Sequence, residues 1–259
     1  MDLRLQGKSA IICASSQGLG LACARALAAE GADVLLNGRN EARLAETVTA
    51  VRSVARGSVA GVAADIGTAD GRAALLAACP APDILINNNG GPPPRPLDSL
   101  DEAALLDALN ANMIAPAALA QSVLPAMAGK GFGRVVNITS VAVRMTVPGL
   151  AASTAARAGL SGFMAAAARH HAASGVTVNA LLPGYFATQR IDQVIHAAAE
   201  RDGTIADEAR NSWTAEIPAG RLGDPAEFGQ ICAFLCSPLA AYITGQNILV
   251  DGGLFPGVI

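Results

Sequence analysis

Short apolar runs alternate with Ala-rich amphipathic segments along the whole sequence, and that alternation leaves few architectures open. Lys8–Ala14, Asp33–Asn37, Ser58–Ala64, Asp83–Asn87, Arg134–Thr139, Val176–Leu181 and Gln246–Val250 read as strands. Leu19–Ala29, Glu41–Val54, Thr68–Ala78, Leu100–Met127, Leu150–Ala173 and Pro225–Cys236 read as helices, the fourth with a bend near Pro116. Tyr185–Ile217 reads as irregular with helical patches. The strands are short and apolar on both sides, as a parallel sheet covered on both faces requires. No linker, repeat or low-complexity stretch divides the 259 residues. The expectation is a single α/β domain over residues 1–259, a parallel sheet with helices on both faces.

Composition closes off several functions. Apolar residues make up 52% of the chain and charged residues 15%, which excludes a disordered chain. A net charge of −3 with no basic cluster argues against nucleic acid as partner. Every apolar stretch of membrane-spanning length is interrupted by a charge, a Pro or a Gly, so no membrane partner is expected. Met1–Lys8 runs straight into a strand without the apolar run of a signal peptide, which predicts a cytoplasmic protein. Five scattered cysteines without a C-x-x-C pair read as reduced thiols. Cys232 and Cys236 share a helix face, but no other thiol lies near them in sequence, and His170, His171 and His196 are far away. They read as small buried apolar groups, and no metal site is expected.

The chemistry begins between the first strand and the first helix. Ser15-Ser16-Gln17-Gly18-Leu19-Gly20 offers glycines that let backbone approach a pyrophosphate, and a helix N-terminus whose free N–H groups face it. At the end of the second strand an acid would hold a ribose 2′-hydroxyl, whereas a base accommodates a 2′-phosphate. The stretch there is Asn37-Gly38-Arg39-Asn40, with Arg39 and no acid. A planar guanidinium bonds two phosphate oxygens at once, so NADP(H) is expected over NAD(H).

These and later motifs, taken in order, resemble the short-chain dehydrogenase/reductase family over essentially the whole chain. The family's T-G-x-x-x-G-x-G corresponds to Cys13–Gly20, with Ala14 in place of the first Gly. Asp65-Ile66 resembles the pair beside the adenine ring, and Asn87-Asn88-Asn89-Gly90 resembles the N-N-A-G motif closing the fourth strand. Asn112 is similar to the family's proton-relay Asn, and Ile138-Thr139-Ser140 resembles the strand end whose Ser binds the substrate oxygen. Pro183-Gly184 followed by Thr188 resembles the stretch beside the nicotinamide carboxamide, and Val250-Asp251-Gly252-Gly253 the family's last motif. The resemblance implies a Rossmann-type doubly wound, twisted sheet of about seven parallel strands. It also implies hydride transfer between NADP(H) and a small carbonyl or alcohol, and a homotetramer or dimer.

The catalytic centre departs from the pattern. The family carries a Tyr about a dozen residues beyond the Ser, and a Lys four residues later. Ser153 and Arg157 stand at those positions here. A Ser hydroxyl is shorter and far less acidic than a phenol, and general acid help is worth about 10²–10⁴-fold in rate. Arg157 keeps the positive charge and can hold the nicotinamide ribose, but it does not relay protons as Lys does. Three readings follow. Proton donation passes to Tyr185, or to water held by Ser140, Ser153 and Asn112. Alternatively the chain binds NADP(H) as a sensor or oligomeric scaffold with little turnover. In the third reading the substrate's own group supplies the proton. The pocket is expected between Gly91–Pro96, Val141–Val147 and a lid at Tyr185–Ile217, whose Asp192, His196, Glu200, Arg201, Asp207 and Glu208 give a polar face. Arg95, Arg144 and Arg190 are candidates to meet an anionic substrate.

Overall fold

The computed structural model describes residues 1–258; Ile259 and the side chains of Ala197, Arg201 and Asp202 lie outside the described residues. Arg201's expected place on the polar lid face is therefore not described. Seven strands form one parallel sheet: β1 Ser9–Ile12, β2 Asp33–Gly38, β3 Val59–Ala63, β4 Ile84–Asn87, β5 Gly133–Ile138, β6 Val176–Pro183 and β7 Asn247–Val250. Their order is β3-β2-β1-β4-β5-β6-β7, so the chain reverses direction across the sheet between β1 and β4. The helices are α1 Gly18–Ala29, α2 Glu41–Arg52, α3 Ala69–Ala78, α4 Glu102–Leu109, α5 Ala115–Lys130, α6 Ala151–His171, α7 Gln189–Asp202, α8 Ala206–Ala215 and α9 Pro225–Cys236.

Each face of the sheet carries its own apolar layer. Ile12, Leu36, Ile84, Ile86 and Val136 pack with Cys23 and Leu27 of α1 and Phe228 of α9. Ile11, Leu35, Leu85 and Val135 point the other way, onto Leu119 and Val123 of α5 and Leu160 and Met164 of α6. Alternate strand residues thus feed opposite layers, as the two-residue strand period dictates. Helix starts are fixed by side chains that satisfy free N–H groups. Asn40, Thr68, Asp101 and Thr188 cap α2, α3, α4 and α7, and Asp224 with Glu227 forms a capping box on α9.

Two elements differ from expectation. The single helix expected over Leu100–Met127 is two helices joined by a π-helical turn at Asn110–Ile114, immediately before Pro116. Pro116 supplies no N–H and cannot continue a regular ladder, so the wider turn absorbs the break. The run Glu102–Lys130 is long and apolar enough to span a membrane, but Ala115, Leu119, Val123 and Met127 are buried in the core. The segment expected to be irregular with helical patches, Tyr185–Ile217, holds two regular helices, α7 and α8. Ile195, Ala198 and Ala199 form the buried stripe of α7, and Gly203 ends it at φ +67.

Candidate active site

Strands β1 to β6 end on one side of the sheet, and a cleft of about 500 Å³ opens there. The β1–α1 turn forms its floor. Ala14 sits in the left-handed region at φ +44, held by Asn37 Oδ1, which accepts from its N–H at 3.2 Å. Asn88 Nδ2 donates to the Ala14 carbonyl at 3.2 Å. Gly18 also has positive φ, +59, and a Cβ there would lie 3.9 Å from Thr188 Cγ2 across the cleft. The N-cap of α1, Gln17, makes no side-chain cap bond, so the first turn presents its N–H groups to the cleft.

Gln17, Gly18 and Leu19 line this cleft, and so do Arg39 and Asp65-Ile66. Asn88, Asn89 and Gly90 follow on the β4 side, then Arg157, Pro183, Gly184 and Thr188. Two expected cofactor residues do not line it. Ser15 is fully buried: its hydroxyl donates to the Ile12 carbonyl at 2.8 Å and accepts from Asn37 N–H at 3.0 Å. Gly20 faces inward, where a Cβ would stand 2.5 Å from the Ala14 carbonyl oxygen. Both residues shape the turn from beneath, because the backbone reverses there and carries them away from the surface.

Arg43 lines the cleft and escaped the sequence reading. It lies four residues beyond Arg39, on the first turn of α2, and its Nη1 donates to Gln17 Oε1 at 2.5 Å. Asn40 capping the helix was the legible signal, since it puts positions 39 and 43 at one end.

At the opposite end, Arg157 is buried on α6. Its Nη1 donates to the Ile138 carbonyl at 2.9 Å, Nε to Ser153 Oγ at 3.2 Å and Nη2 to the Asn89 carbonyl at 3.5 Å. Burial lowers the guanidinium to about 10. Ser153 sits one turn back, beneath the cleft wall: a Cβ at Gly91 would lie 4.0 Å from its Oγ and 3.9 Å from Arg157 Nη2. Ser140 follows the cleft residue Thr139, and its Oγ accepts from Ala142 N–H at 3.1 Å, capping a short turn. Asn112 lies buried in the π turn. Its Nδ2 donates to the Ala108 carbonyl at 3.4 Å, while its Oδ1 has no partner among the described residues.

Tyr185 is a correction. Its ring packs against Trp213 at 4.8 Å between centroids, and it does not line the cleft; the next residue, Phe186, does. Burial, with Glu216 nearby, pushes its phenol above the ordinary range and makes it a poorer acid. Arg190 lines the cleft mouth and donates from Nη2 to the Pro92 carbonyl at 3.1 Å. Arg95 lies beside Ser153 in a small alcove, and Arg144 is exposed. His170 and His171 meet edge to face at the far end of α6. The cysteine reading also changes: packing of α1 on α9 brings Cys23 beside Cys232 and Cys236, and all three are buried. Among the described residues no cluster of three or more His, Cys, Asp or Glu is arranged to hold a metal.

A seven-stranded parallel sheet with a glycine turn, an open helix N-terminus and a cleft at the strand reversal defines a Rossmann dinucleotide-binding protein. The family described as enoyl-(acyl carrier protein) reductase matches residues 13–255, and the chain belongs to the short-chain dehydrogenase/reductase family. It is 34% identical over 257 residues to 3-oxoacyl-(acyl-carrier-protein) reductase FabG of Vibrio cholerae, covering 98% of this chain and 99% of that one. It is 32% identical over 254 residues to gluconate 5-dehydrogenase of Gluconobacter oxydans, covering 96% and 95%. The structure of L-sorbose reductase from Gluconobacter frateurii, solved with NADPH and L-sorbose, superposes with a TM-score of 0.94 at 27% identity, covering all of both chains. These relatives are reductases and dehydrogenases, and the chain is of the same oxidoreductase class.

Proposed function

We propose that this chain moves a hydride between NADP(H) and a carbonyl or alcohol carbon of a small molecule. One observation carries the reading: a continuous cleft has Arg39 and Arg43 at its β2 end and the Arg157 guanidinium at its β5 end. The first pair suits a 2′-phosphate, because two guanidinium forks match its oxygens. The open N-terminus of α1 suits the pyrophosphate, and Arg157 suits the nicotinamide ribose. The bound cofactor would supply or accept the hydride at its nicotinamide ring. Asp65 and Ile66 would flank the adenine, and Asn88, Asn89, Gly90, Pro183, Gly184 and Thr188 the central and nicotinamide portions. The NADPH found in the sorbose reductase structure supports the preference for NADP(H).

Ser153 and Arg157 stand, in this reading, where the family carries Tyr and Lys, with Ser140 and Asn112 completing the substrate side. Helices α7 and α8 form the lid, and Arg190 bridging to Pro92 is consistent with closure. The exposed Leu105, Leu106 and Ile114 on α4 and the π turn fit contact with a second copy, in a homotetramer or dimer. Five free cysteines fit a reducing cytoplasm. A second reading, NADP(H) binding without turnover, draws on Tyr185 being turned onto Trp213.

Titration of the protein with NADPH and NADH, followed by NADPH oxidation with a panel of carbonyl compounds, tests the proposal. NADPH binding with turnover supports it. NADPH binding with no turnover favours the second reading, and binding of neither nucleotide overturns both.

A further inference from the structure

A second cavity lies outside the dinucleotide cleft. It holds about 550 Å³, slightly more than the cleft itself, and small-molecule sites typically hold about 300–1,000 Å³. The outer face of α1 forms its floor through Leu21, Ala22, Arg25, Ala26 and Ala29. Val54, just after α2, supplies one wall, and Pro225 and Ala226 at the start of α9 supply another. Gly18, Thr188 and Gln189 line both spaces, so a thin seam divides them: a Cβ at Gly18 would lie 3.9 Å from Thr188 Cγ2. None of Asn89, Arg157, Pro183 and Gly184, at the far end of the cleft, lines the second cavity.

The cavity is apolar where a surface helix is ordinarily polar. α1 has twelve residues and one charge, Arg25. On its outer side Leu21, Ala26 and Ala29 are only half-buried, and Val54 beside them is 47% exposed. Apolar surface gathered in a concave space is what a ligand with an apolar body removes from water. The charged groups there are two, and one is already committed: Asp224 Oδ1 accepts from Ala226 N–H at 2.9 Å as the cap of α9. Arg25 has no carboxylate partner among the described residues. Gln230 adds an amide donor to the same space.

We propose that this cavity is a second ligand site, taking a small amphiphile with a carboxylate or sulfonate head and an apolar body. The head pairs with Arg25, whose planar fork matches two oxygens at once, and Gln230 donates beside it. The body lies on Leu21, Ala26 and Val54 and points towards Thr188. A cationic head does not suit the site, because its partner would be Asp224, and that carboxylate holds the first turn of α9. The hydroxyl of Thr188 caps α7, so the occupant rests against the start of that helix from the side away from the dinucleotide cleft. Neither head nor body needs the dinucleotide, and the site stands apart from the hydride-transfer reading.

The test uses the intact protein and 8-anilinonaphthalene-1-sulfonate, an anionic aromatic dye that brightens in apolar surroundings. The dye is titrated with and without saturating NADP⁺, then displaced with decanoate or decan-1-ol. Binding that survives NADP⁺ is expected, with decanoate displacing the dye about tenfold more tightly than the alcohol. Arg25→Glu and Val54→Asp, both at exposed positions, each set a carboxylate against the anionic ligand. Each is expected to weaken dye and decanoate about tenfold or more, since like charges brought together are strongly unfavourable. NADPH affinity, read by its fluorescence, should stay within about twofold of wild type in both variants. Absence of dye binding, displacement of the dye by NADP⁺, equal affinity for acid and alcohol, or unchanged dye affinity in both variants overturns the proposal. A lower particle mass of the variants in light scattering would make the cavity an interface between copies and would overturn it too. If NADP⁺ itself does not bind, the dye and the two variants still decide this site, so the two readings fail separately.

Discussion

Ala14 is an L-residue held at φ +44 by Asn37 and Asn88, a conformation that costs about 1–2 kcal/mol. Ala14→Gly relieves that strain and returns about half of it as unfolded-chain entropy. The expected net gain is about 0.5–1 kcal/mol, read as a melting temperature raised by about 2 °C; a lower melting temperature contradicts the account. If Arg39 and Arg43 hold a 2′-phosphate as proposed, Arg39→Ala and Arg43→Ala each remove a charge-assisted bond of about 1.5–3 kcal/mol. NADPH affinity should fall about 10–100-fold in each and NADH affinity about twofold or less. Equal losses for both nucleotides would refute the 2′-phosphate role. Much at this scale was legible. Arg39, Gly18 and Asn88 follow from strand-end chemistry, because a residue type at the end of a strand faces the cleft by topology. Ser15 and Tyr185 did not follow. Side-chain direction at a turn depends on which backbone carbonyls lie within reach, and for Ser15 those belong to Ile12 and Asn37, neither predictable from spacing.

Among the elements, α9 shows how a helix is seated from both its start and its side. Glu227 closes the capping box and pairs with Arg221 at 2.7 Å, which holds its carboxyl down at about 2 from an ordinary 4.5. A carboxylate lowered on folding contributes stability above its unfolded value and loses it as pH falls towards the folded one. Wild type should therefore melt above Glu227→Gln at neutral pH, with the gap closing between about pH 4.5 and about pH 2. A gap that persists at pH 2 would assign the stability to packing. From the side, Gly229 lets α9 approach α1: a Cβ there would meet the Ala22 carbonyl oxygen at 2.5 Å. Gly229→Ala should cost about 1–3 kcal/mol, seen in chemical denaturation. The sequence located α9 to the residue because Asp224, Pro225 and Glu227 are explicit start signals. It gave α7 and α8 only as helical patches: the α7 start, Thr188, looks like a loop residue and its buried stripe, Ile195, Ala198 and Ala199, is narrow, while α8 starts after Ile205 without a side-chain cap and buries no residue.

For the molecule as a whole, a ligand that binds only the folded state adds about 2.7 kcal/mol at a hundred times its Kd. NADPH should raise the melting temperature more than NADH at equal concentration, and it should slow proteolytic cutting within α7–α8 if these helices close over it. Equal cutting with and without NADPH would remove the lid assignment. The layered parallel sheet was readable from alternation alone, since few other arrangements bury apolar strands on both sides. What alternation does not convey is which helices share a layer. α1 and α9 lie against one another though roughly two hundred residues separate them. During synthesis at about 5–20 residues per second, α1 leaves the ribosome some 10–40 s before the helix that covers it. Cys23 and Leu27 wait through that interval with their outer neighbours missing. The nascent chain therefore exposes the α9-facing side of its N-terminal helix for most of its translation.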